Sequence, residues 1–386
     1  MIPYGRQDIC ESDIDAVIDV LKSDFLTQGP RVPDFEKSVA TKVGASHAVA
    51  VNSATSALHI ACLALGLKPG DRLWTSPISF VASANCGLYC GAIVDFVDID
   101  PETYNMSPVA LEKKLQAAEA DGTLPKVVVP VDMCGQSADL REIRALADRY
   151  GFKILEDASH AIGARYDGHY VGDGRYADIT VFSFHPVKII TTAEGGLAVT
   201  NDKDLAQTMS LLSSHGITRD PALMTGEKDG AWYYQQIELG FNYRMTEMQA
   251  ALGISQMARL DDYVARRAAL AERYDRLLEG LPLRRPRQME ATASSWHLYI
   301  IQLHDASQHN SVFDSLRDAG VGVNLHYIPI HRQPYYQRLG FSAGDFPAAE
   351  DYYTRAISIP LFPTMTEDQQ DYIVSRLRGL LTGARA

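Results

Sequence analysis

Short apolar, β-prone runs alternate with helical stretches between residues 48 and 200. The apolar runs are AVAVN, RLWT, IVDFVDI, KVVVPV, KILED, DITVFSF and GLAVT, and the helical stretches span 54–66, 80–89, 108–119 and 138–150. Such alternation predicts an α/β fold with a mostly parallel sheet flanked by helices. Ligands of these folds bind beyond the carboxyl ends of the strands, so residues at the strand ends are the first candidates for chemistry.

The pattern changes after Thr246. A long helical stretch rich in Ala, Leu and Arg reaches about Leu281, and a polar connection follows it. Beyond that connection the sequence predicts a strand at WHLYIIQL, a helix over 311–319, a strand at GVGVNLHY and a C-terminal helix over 366–381. We therefore expect a large cofactor-binding domain over residues 1–250 and a smaller C-terminal α+β domain over residues 251–386.

Composition and charge narrow the class of protein. The 386 residues are 46% hydrophobic, enough for a large core, and the formal net charge of -12 argues against binding to nucleic acid or to anionic membranes. The five cysteines are odd in number and lack disulfide or metal spacing, which favours buried thiols. No signal peptide or membrane-spanning run is evident, so we expect a cytoplasmic protein.

One lysine interrupts an apolar segment in FSFHPVKIITTAEGG, residues 182–196. The residues on both sides of Lys188 are typical of buried strands. A buried lysine is costly, and proteins keep it neutral by desolvation or use it in a Schiff base, which are both catalytic states. The alternative is that Lys188 lies on an edge or loop with its ammonium group in water.

Two other strand ends carry polar groups. In VNSATSALH, Ala54 and Thr55 begin a predicted helix, whose free amides and hydroxyls form an anion site of the kind that phosphate occupies. The alternative is an ordinary helix cap that needs no ligand. In KILEDASH, Asp157 ends a strand and His160 follows one helical turn later, so both could face the same ligand, although acids at this place also often cap helices.

The chain resembles a fold-type I enzyme dependent on pyridoxal 5'-phosphate (PLP). Four features carry this resemblance: the helix start at Ala54, the strand-end Asp157, the turn that contains Lys188, and the glycine pair 195–196 that follows this turn. More narrowly, the chain resembles the DegT/DnrJ/EryC1/StrS family of sugar aminotransferases. The resemblance runs almost from end to end, and the segments that carry it are FLTQGPRVPDFE, VNSATSALH, DMCGQSADL, EDASHAIGARY, GDGRYADITVFSFHPVKIITTAEGG, GFNYRMTEMQAALG and HYIPIHRQPYY.

The resemblance implies a role for each residue around the cofactor. Lys188 would hold PLP covalently and then move a proton at the substrate carbon. Asp157 would keep the pyridine nitrogen protonated, because an anion beside that nitrogen favours the cationic ring. His160 would lie near the phenolic oxygen or the ring face. Phe80 would stack on the ring, although a phenylalanine of the core would have the same sequence signature.

The resemblance also implies phosphate and substrate contacts. Ala54, Thr55 and Ser183 would bind the phosphate, and Asn242 would reach it from a neighbouring subunit, which makes the active site a product of a homodimer. Six residues match segments on the sugar-nucleotide side of the pocket: Gln28, Gly29, Arg244, His326, Tyr327 and His331. The alternatives are that Gln28 and Gly29 form a turn, that Arg244 is a surface cation, and that His326, Tyr327 and His331 cap a loop. No third ligand is spaced to join the two histidines, so we expect no metal.

The retained lysine bears on the reaction class. In this family a histidine in place of the lysine accompanies deoxygenation, so Lys188 favours transamination, with L-glutamate as donor and a nucleotide-linked 4-keto sugar as acceptor. FHPVK, NSATSALH and PISFVASANC look most like family members of pseudaminic acid biosynthesis, which aminate C4 of UDP-2-acetamido-2,6-dideoxy-β-L-arabino-hexos-4-ulose.

Two alternatives remain open. The chain could be another nucleotide-sugar C4 aminotransferase, with a C3 enzyme less favoured. It could also be a non-catalytic regulator that binds PLP or a sugar nucleotide. The intact Lys188 and Asp157 count against a regulator, as does the lack of a DNA-binding helix pair or a basic extension.

Overall fold

The computed structural model describes residues 1–383, which form one large central sheet, three small sheets and flanking helices. The strands are β1 His47–Val51, β2 Arg72–Thr75, β3 Ile93–Phe96, β4 Val127–Val129, β5 Lys153–Asp157, β6 Arg165–Tyr166, β7 His169–Tyr170, β8 Ile179–Ser183, β9 Gly196–Thr200, β10 Ile217–Thr218, β11 Gln235–Gln236, β12 Leu283–Arg284, β13 Thr292–Ala293, β14 Tyr299–Leu303 and β15 Ala356–Ile359. The helices are α1 Glu11–Leu21, α2 Arg31–Val43, α3 Ala54–Ala64, α4 Ala82–Tyr89, α5 Pro108–Asp121, α6 Leu140–Tyr150, α7 Lys203–Ser213, α8 Glu247–Met257, α9 Leu260–Leu277, α10 His309–Asp318, α11 Pro334–Gln337, α12 Pro347–Arg355 and α13 Glu367–Thr382.

The central sheet has seven strands in the order β1-β9-β8-β5-β4-β2-β3. Five neighbouring strands, from β8 to β3, are parallel, whereas β9 runs antiparallel to both β8 and β1. The expected α/β fold with a mostly parallel sheet is thus confirmed. Because β9 turns straight back beside β8, the loop between them, which contains Lys188, stays at the carboxyl edge of the sheet.

Apolar side chains cover both faces of this sheet, as its strand sequences require. On β2, Leu73 joins one hydrophobic cluster and its neighbour Trp74 joins another, and Val127 and Val128 of β4 divide in the same way. The strands therefore lie between two packed layers, and only their ends can present polar groups to a ligand.

A second core surrounds the antiparallel sheet β12-β14-β15. The helical stretch predicted after Thr246 is two helices, because the chain leaves helical geometry at Arg259 between α8 and α9. The strand predicted at GVGVNLHY is wrong: Val321 and Asn324 make single bridges only, and β15 is the strand that pairs with β14. Hydrophobic pattern alone does not say which segment finds a hydrogen-bonding partner.

The division into domains at residues 250 and 251 stays a prediction. Helix α8, which crosses this boundary, packs on α1 and α2, while Ile2 near the N-terminus pairs with Val321. None of the helices within residues 1–383 has the length and apolar character needed to cross a membrane. The cytoplasmic location also stays a prediction.

Candidate active site

Lys188 lies in the tight loop between β8 and β9. Its backbone N–H donates to the His185 carbonyl (2.9 Å), and the base of the loop is closed by Phe184, whose carbonyl accepts from Thr192 N–H at 3.0 Å. The side chain is half-buried. Burial lowers the pKa of the Lys188 amine to about 8, while the negative charge of Asp157 opposes part of this shift. The amine therefore loses its proton far more readily than a surface lysine.

Asp157, at the end of β5, is buried and held by three donors. Its Oδ2 accepts a hydrogen bond from Ser83 Oγ at 2.6 Å. Its Oδ1 accepts from Ser159, from the backbone N–H at 3.2 Å and from the hydroxyl at 2.5 Å. Because these donors come from α4 and from the chain just after β5, they fix the orientation of the carboxylate.

Three histidines and a tyrosine pack around the lysine. His160 Nε2 lies 3.1 Å from the Tyr327 hydroxyl, and the His160 ring centroid is 4.4 Å from that of His297. The ring of His326 contacts Tyr327, with centroids 5.0 Å apart. The charge of Lys188 acts electrostatically on all three histidines. The structure thus brings His160, His326 and Tyr327 together with Lys188, and adds His297.

Burial keeps these imidazoles neutral. It lowers the pKa of His160 and of His297 well below the usual value and that of His326 to about 3, with a smaller effect from the Lys188 charge. The Nδ1 atoms of His160 and His297 are buried and have no hydrogen-bond partner within the described chain. Buried polar atoms of this kind usually have a partner, so the site has hydrogen-bonding capacity left for a ligand.

The start of α3 presents unused backbone donors. Ser53 caps the helix by accepting from Ser56 N–H at 3.1 Å, and Ala57 N–H donates to the Ser53 carbonyl. The amides of Ala54 and Thr55, at the first two helical positions, have no carbonyl one turn earlier to bind. Amides in this position can hold an anion, and the binding of a phosphate by Ala54 and Thr55 stays a prediction.

Gly196 brings β9 against this helix start. A Cβ at position 196 would stand 2.3 Å from the Ala54 nitrogen and 2.4 Å from the Ser53 carbonyl carbon. Gly196 is also directly opposite Ser183 in the β8–β9 register. The glycine therefore permits the close approach that places Ser183 next to the α3 amides.

Phe80 and Tyr327 form the open side of the site. The Phe80 side chain is 59% exposed, and its ring centroid lies 6.3 Å from that of Tyr327. A phenylalanine of the core would be buried, so exposure beside Tyr327 favours contact with a ligand.

The TQGP segment is anchored on α8. Glu247, the first residue of α8, accepts from the backbone N–H of Arg31 at 2.7 Å, and a Cβ at Gly29 would stand 2.6 Å from its Oε2. Gly29 thus lets the loop pass close to this buried carboxylate. Gln28 is exposed, and the substrate contacts of Gln28 and Gly29 stay predictions.

Asn242 and Arg244 lie on an extended segment beside the start of α3. Asn52 N–H donates to the Tyr243 carbonyl at 2.8 Å, and Arg244 Nη1 donates to Ser214 Oγ at 3.1 Å. Asn242 is exposed. Its predicted contact with the phosphate of a neighbouring subunit stays a prediction, as does the substrate contact of Arg244.

His331 is not among the residues around Lys188. Its ring is 0% exposed, its Nε2 lies 2.9 Å from Glu350 Oε1, and it packs on Phe346 with centroids 4.8 Å apart. These contacts give His331 a packing function and do not support the predicted substrate contact. No three His, Cys, Asp or Glu side chains within residues 1–383 are arranged to hold a metal ion.

Sequence reasoning missed two residues of this site. Ser83 lies one helical turn after the strand-end candidate Phe80, and this spacing could have predicted that Ser83 faces the site. His297 comes from the segment that enters β14, and its backbone N–H donates to the Cys134 carbonyl at 2.9 Å. No local pattern points to His297, because only the packing of the second core on the sheet brings it to His160.

Comparison with known proteins identifies the class. Residues 7–378 match the DegT/DnrJ/EryC1/StrS aminotransferase family. The chain therefore belongs to this family, and it is a sugar aminotransferase dependent on PLP.

Several relatives cover the whole chain. It is 39% identical to the spore coat polysaccharide biosynthesis protein SpsC of Bacillus subtilis, over 99% of this chain and 98% of that protein. It is 38% identical to a UDP-4-amino-4,6-dideoxy-N-acetyl-beta-L-altrosamine transaminase of Campylobacter jejuni, again over 99% and 98%. The solved structure of Helicobacter pylori PseC, an aminotransferase of pseudoaminic acid biosynthesis, matches with a TM-score of 0.90 at 32% identity, covering 99% of this chain and 100% of that one.

The cofactor is supported by a further structure. A Streptococcus pneumoniae protein described as a sugar aminotransferase, solved in its PLP form, matches with a TM-score of 0.90 at 28% identity over the full length of both chains. The residues of this chain fit PLP: the amides at the start of α3 would hold a phosphate, and the buried Asp157 carboxylate would hold a protonated ring nitrogen. Lys188 and the unpartnered His160 Nδ1 provide the remaining polar contacts.

Proposed function

We propose that this protein transfers the amino group of L-glutamate to C4 of UDP-2-acetamido-2,6-dideoxy-β-L-arabino-hexos-4-ulose, a step of pseudaminic acid biosynthesis. The observation that carries amine transfer is the partly buried Lys188 amine within electrostatic reach of the fixed Asp157 carboxylate. The choice of sugar is supported by the full-length similarity to the Campylobacter jejuni transaminase and to Helicobacter pylori PseC.

The residues divide the work of this reaction. Bound PLP supplies a carbon that accepts the amine and a ring that withdraws electrons. Lys188, with its lowered pKa, would move a proton between the substrate carbon that bears the nitrogen and the C4' carbon of the cofactor. Asp157 provides the anion that keeps the ring nitrogen protonated. The buried His160 and the half-buried Tyr327 are hydrogen-bonded to each other and would orient the ring.

A homodimer with shared active sites is part of the proposal. The segment from β10 to Asn242 exposes large apolar side chains, including Leu239 (81%) and Trp232 (71%). Exposed apolar patches of this kind mark interfaces. A second copy packed here would bring Asn242 to the phosphate of its partner, so an isolated subunit would have little activity.

The amino acceptor is tested with a panel of nucleotide-linked 4-keto and 3-keto sugars, each incubated with glutamate and read by mass spectrometry and NMR. We expect the UDP-linked L-series 4-keto sugar to be aminated fastest, at C4. The rival is another nucleotide-sugar aminotransferase, and the comparable identity to a spore coat polysaccharide biosynthesis protein keeps it in the test. Faster turnover of a different keto sugar would replace the proposed substrate by that one.

The lysine is tested with the Lys188→Ala variant. Wild-type protein should be yellow, and glutamate should shift its visible band to the near ultraviolet. The variant should keep its circular dichroism but show neither the shift nor turnover, because the amine that moves the proton is missing. Transamination by this variant would refute the assignment of Lys188 as the catalytic lysine. If glutamate did not shift the visible band of the wild-type protein, a non-catalytic binding protein would be favoured.

The shared site is tested by mixing Lys188→Ala with Asn242→Ala. Hybrid dimers would contain one site with both native residues, so activity should return in proportion to the hybrid fraction. Absence of recovery after proven subunit exchange would remove Asn242 from its partner's site.

A further inference from the structure

Two carboxyl groups meet in the sheet directly behind Asp157. Asp132 follows β4 and Glu156 lies on β5, and their side chains are 0% and 1% exposed. Burying even one ionised carboxylate is costly, and burying two next to each other is costlier still. Neither residue belongs to the cofactor site described above.

Each carboxyl group uses one oxygen and leaves the other without a donor. Asp132 Oδ1 accepts from Ala138 N–H at 2.9 Å, and Glu156 Oε2 accepts from Thr180 Oγ1 at 2.6 Å. The other two atoms, Asp132 Oδ2 and Glu156 Oε1, are buried and lack any partner if both groups are ionised. The two side chains are close enough for each to shift the pKa of the other.

We propose that Asp132 and Glu156 share one proton between these two oxygens, and that the pair positions Asp157 for the cofactor. A single proton gives each oxygen a partner and removes one of two adjacent charges. Burial raises the pKa of Glu156 to about 7 and that of Asp132 well above its usual value. Repulsion by Glu156 raises the pKa of Asp132 further, whereas the contact with Asp132 lowers that of Glu156.

The link to Asp157 runs through the backbone. Asp132 N–H donates to the Asp157 carbonyl at 3.0 Å, and Asp157 N–H donates to the Pro130 carbonyl at 2.9 Å. Glu156 precedes Asp157 on β5. The shared proton therefore joins the end of β4 to the end of β5 just where the Asp157 side chain leaves the sheet.

Other charged groups face this pair. Asp157 repels the charged form of both carboxyl groups, and Asp173 repels that of Glu156. A cavity of about 10 Å³ beside Glu156 is also lined by Tyr166 and Arg175. This volume is enough for one water, which is the competing partner for Glu156 Oε1.

The proton itself is tested by infrared spectroscopy of the purified holoenzyme just above the Glu156 pKa of about 7, where the pair holds one proton rather than two. We expect the carbonyl band of a protonated carboxylic acid that disappears in both Asp132→Asn and Glu156→Gln. Glu36→Gln is the matched control, because burial also raises the pKa of Glu36 to about 7 and its band should be a separate one. Failure of either pair variant to remove a band would overturn the shared proton and favour the water.

A second test measures the free energy of unfolding against pH. The folded pKa values of the pair lie above the unfolded ones, so their stabilisation is complete below about pH 4 and is lost as pH rises through about 7. Asp132→Asn supplies a permanent N–H donor and should flatten this loss. Profiles parallel to the wild type in both pair variants would contradict the proposal.

The positioning role is tested through cofactor affinity, and only this part depends on the proposed function, because it requires Asp157 to hold the ring. Asp132→Ala should raise the PLP dissociation constant severalfold, whereas Asp132→Asn should restore wild-type affinity. Unchanged affinity in Asp132→Ala would remove the positioning role. Since no amino donor or sugar is used in these measurements, a wrong substrate assignment would leave their results intact.

Discussion

Ser83 Oγ donates a 2.6 Å hydrogen bond to Asp157 Oδ2, so the first turn of α4 is joined directly to the end of β5. Ser83 Oγ in turn lies 2.7 Å from Ser79 Oγ. The buried carboxylate is therefore supported by a short chain of hydroxyl groups that starts beside Phe80. This chain makes the orientation of Asp157 depend on the same loop that carries the exposed aromatic ring.

Replacing Ser83 by alanine should destabilise the protein and weaken cofactor binding. The variant leaves one oxygen of a buried charged group without its donor, which costs about 1–3 kcal/mol. Urea unfolding and PLP titration measure the two effects. Ser79→Ala is the control, because it removes a neighbouring buried hydroxyl but leaves the direct bond to Asp157. Equal losses in the two variants would show that the direct bond has no special importance.

Gly196→Ala should abolish tight phosphate binding. The added Cβ would meet backbone atoms of Ser53 and Ala54 at 2.4 and 2.3 Å, so the start of α3 would have to move. Overpacking of this kind costs about 1–3 kcal/mol, and the same loss of binding free energy would raise the PLP dissociation constant by about 5-fold to 150-fold.

The control for this variant is Gly5→Ala, whose Cβ would stand 3.8 Å from the Val187 Cβ, an ordinary contact. Absorbance titration with PLP gives both dissociation constants, and circular dichroism checks folding. A Gly196→Ala protein with wild-type affinity would show that the helix start does not bind the phosphate.

The parallel sheet could be predicted because apolar strands that alternate with helices are typical of a sheet buried on both faces. In such a sheet, ligands bind at the carboxyl ends of the strands. The sequence could not predict that β9 runs antiparallel, since hydrophobic pattern does not contain strand direction. Asp157, His160 and Lys188 could be chosen as candidates because each ends, follows or interrupts a predicted strand. Position at a strand end is therefore the property that a single sequence reveals best.

The environments that the sequence could not predict depend on long-range packing. His297 reaches His160 only because the segment before β14 pairs with the loop after β4. His331 shares the segment HYIPIH with His326, yet its ring is enclosed by Phe346 and Glu350. Two histidines five positions apart thus differ in environment for reasons that no local pattern contains.

Cofactor capture by the apoprotein should speed up as pH rises through about 8, the pKa of the Lys188 amine. Only the neutral amine attacks an aldehyde, and burial favours that form. Stopped-flow absorbance after mixing with PLP gives the rate at each pH, and Lys188→Ala should show no product that borohydride can fix. A rate that keeps rising to pH 10, as for a surface lysine, would contradict the lowered pKa.

The three buried histidines predict a loss of stability in mild acid. Because burial lowers the pKa of His160, His297 and His326 in the folded state, the unfolded chain binds protons below about pH 6.5 that the folded chain does not. Each such histidine steepens the fall of the unfolding free energy by about 1.4 kcal/mol per pH unit until its folded pKa is reached. For His326 that limit is about 3.

His297→Gln should therefore reduce the slope of unfolding free energy against pH by about 1.4 kcal/mol per pH unit between the two pKa values. His304→Gln is the control, because its imidazole is exposed and lies outside this site. Urea unfolding at a series of pH values measures both slopes. If His297→Gln and His304→Gln behaved alike, the imidazole beside His160 would be accessible to protons, and the site around Lys188 would be wetter than its burial indicates.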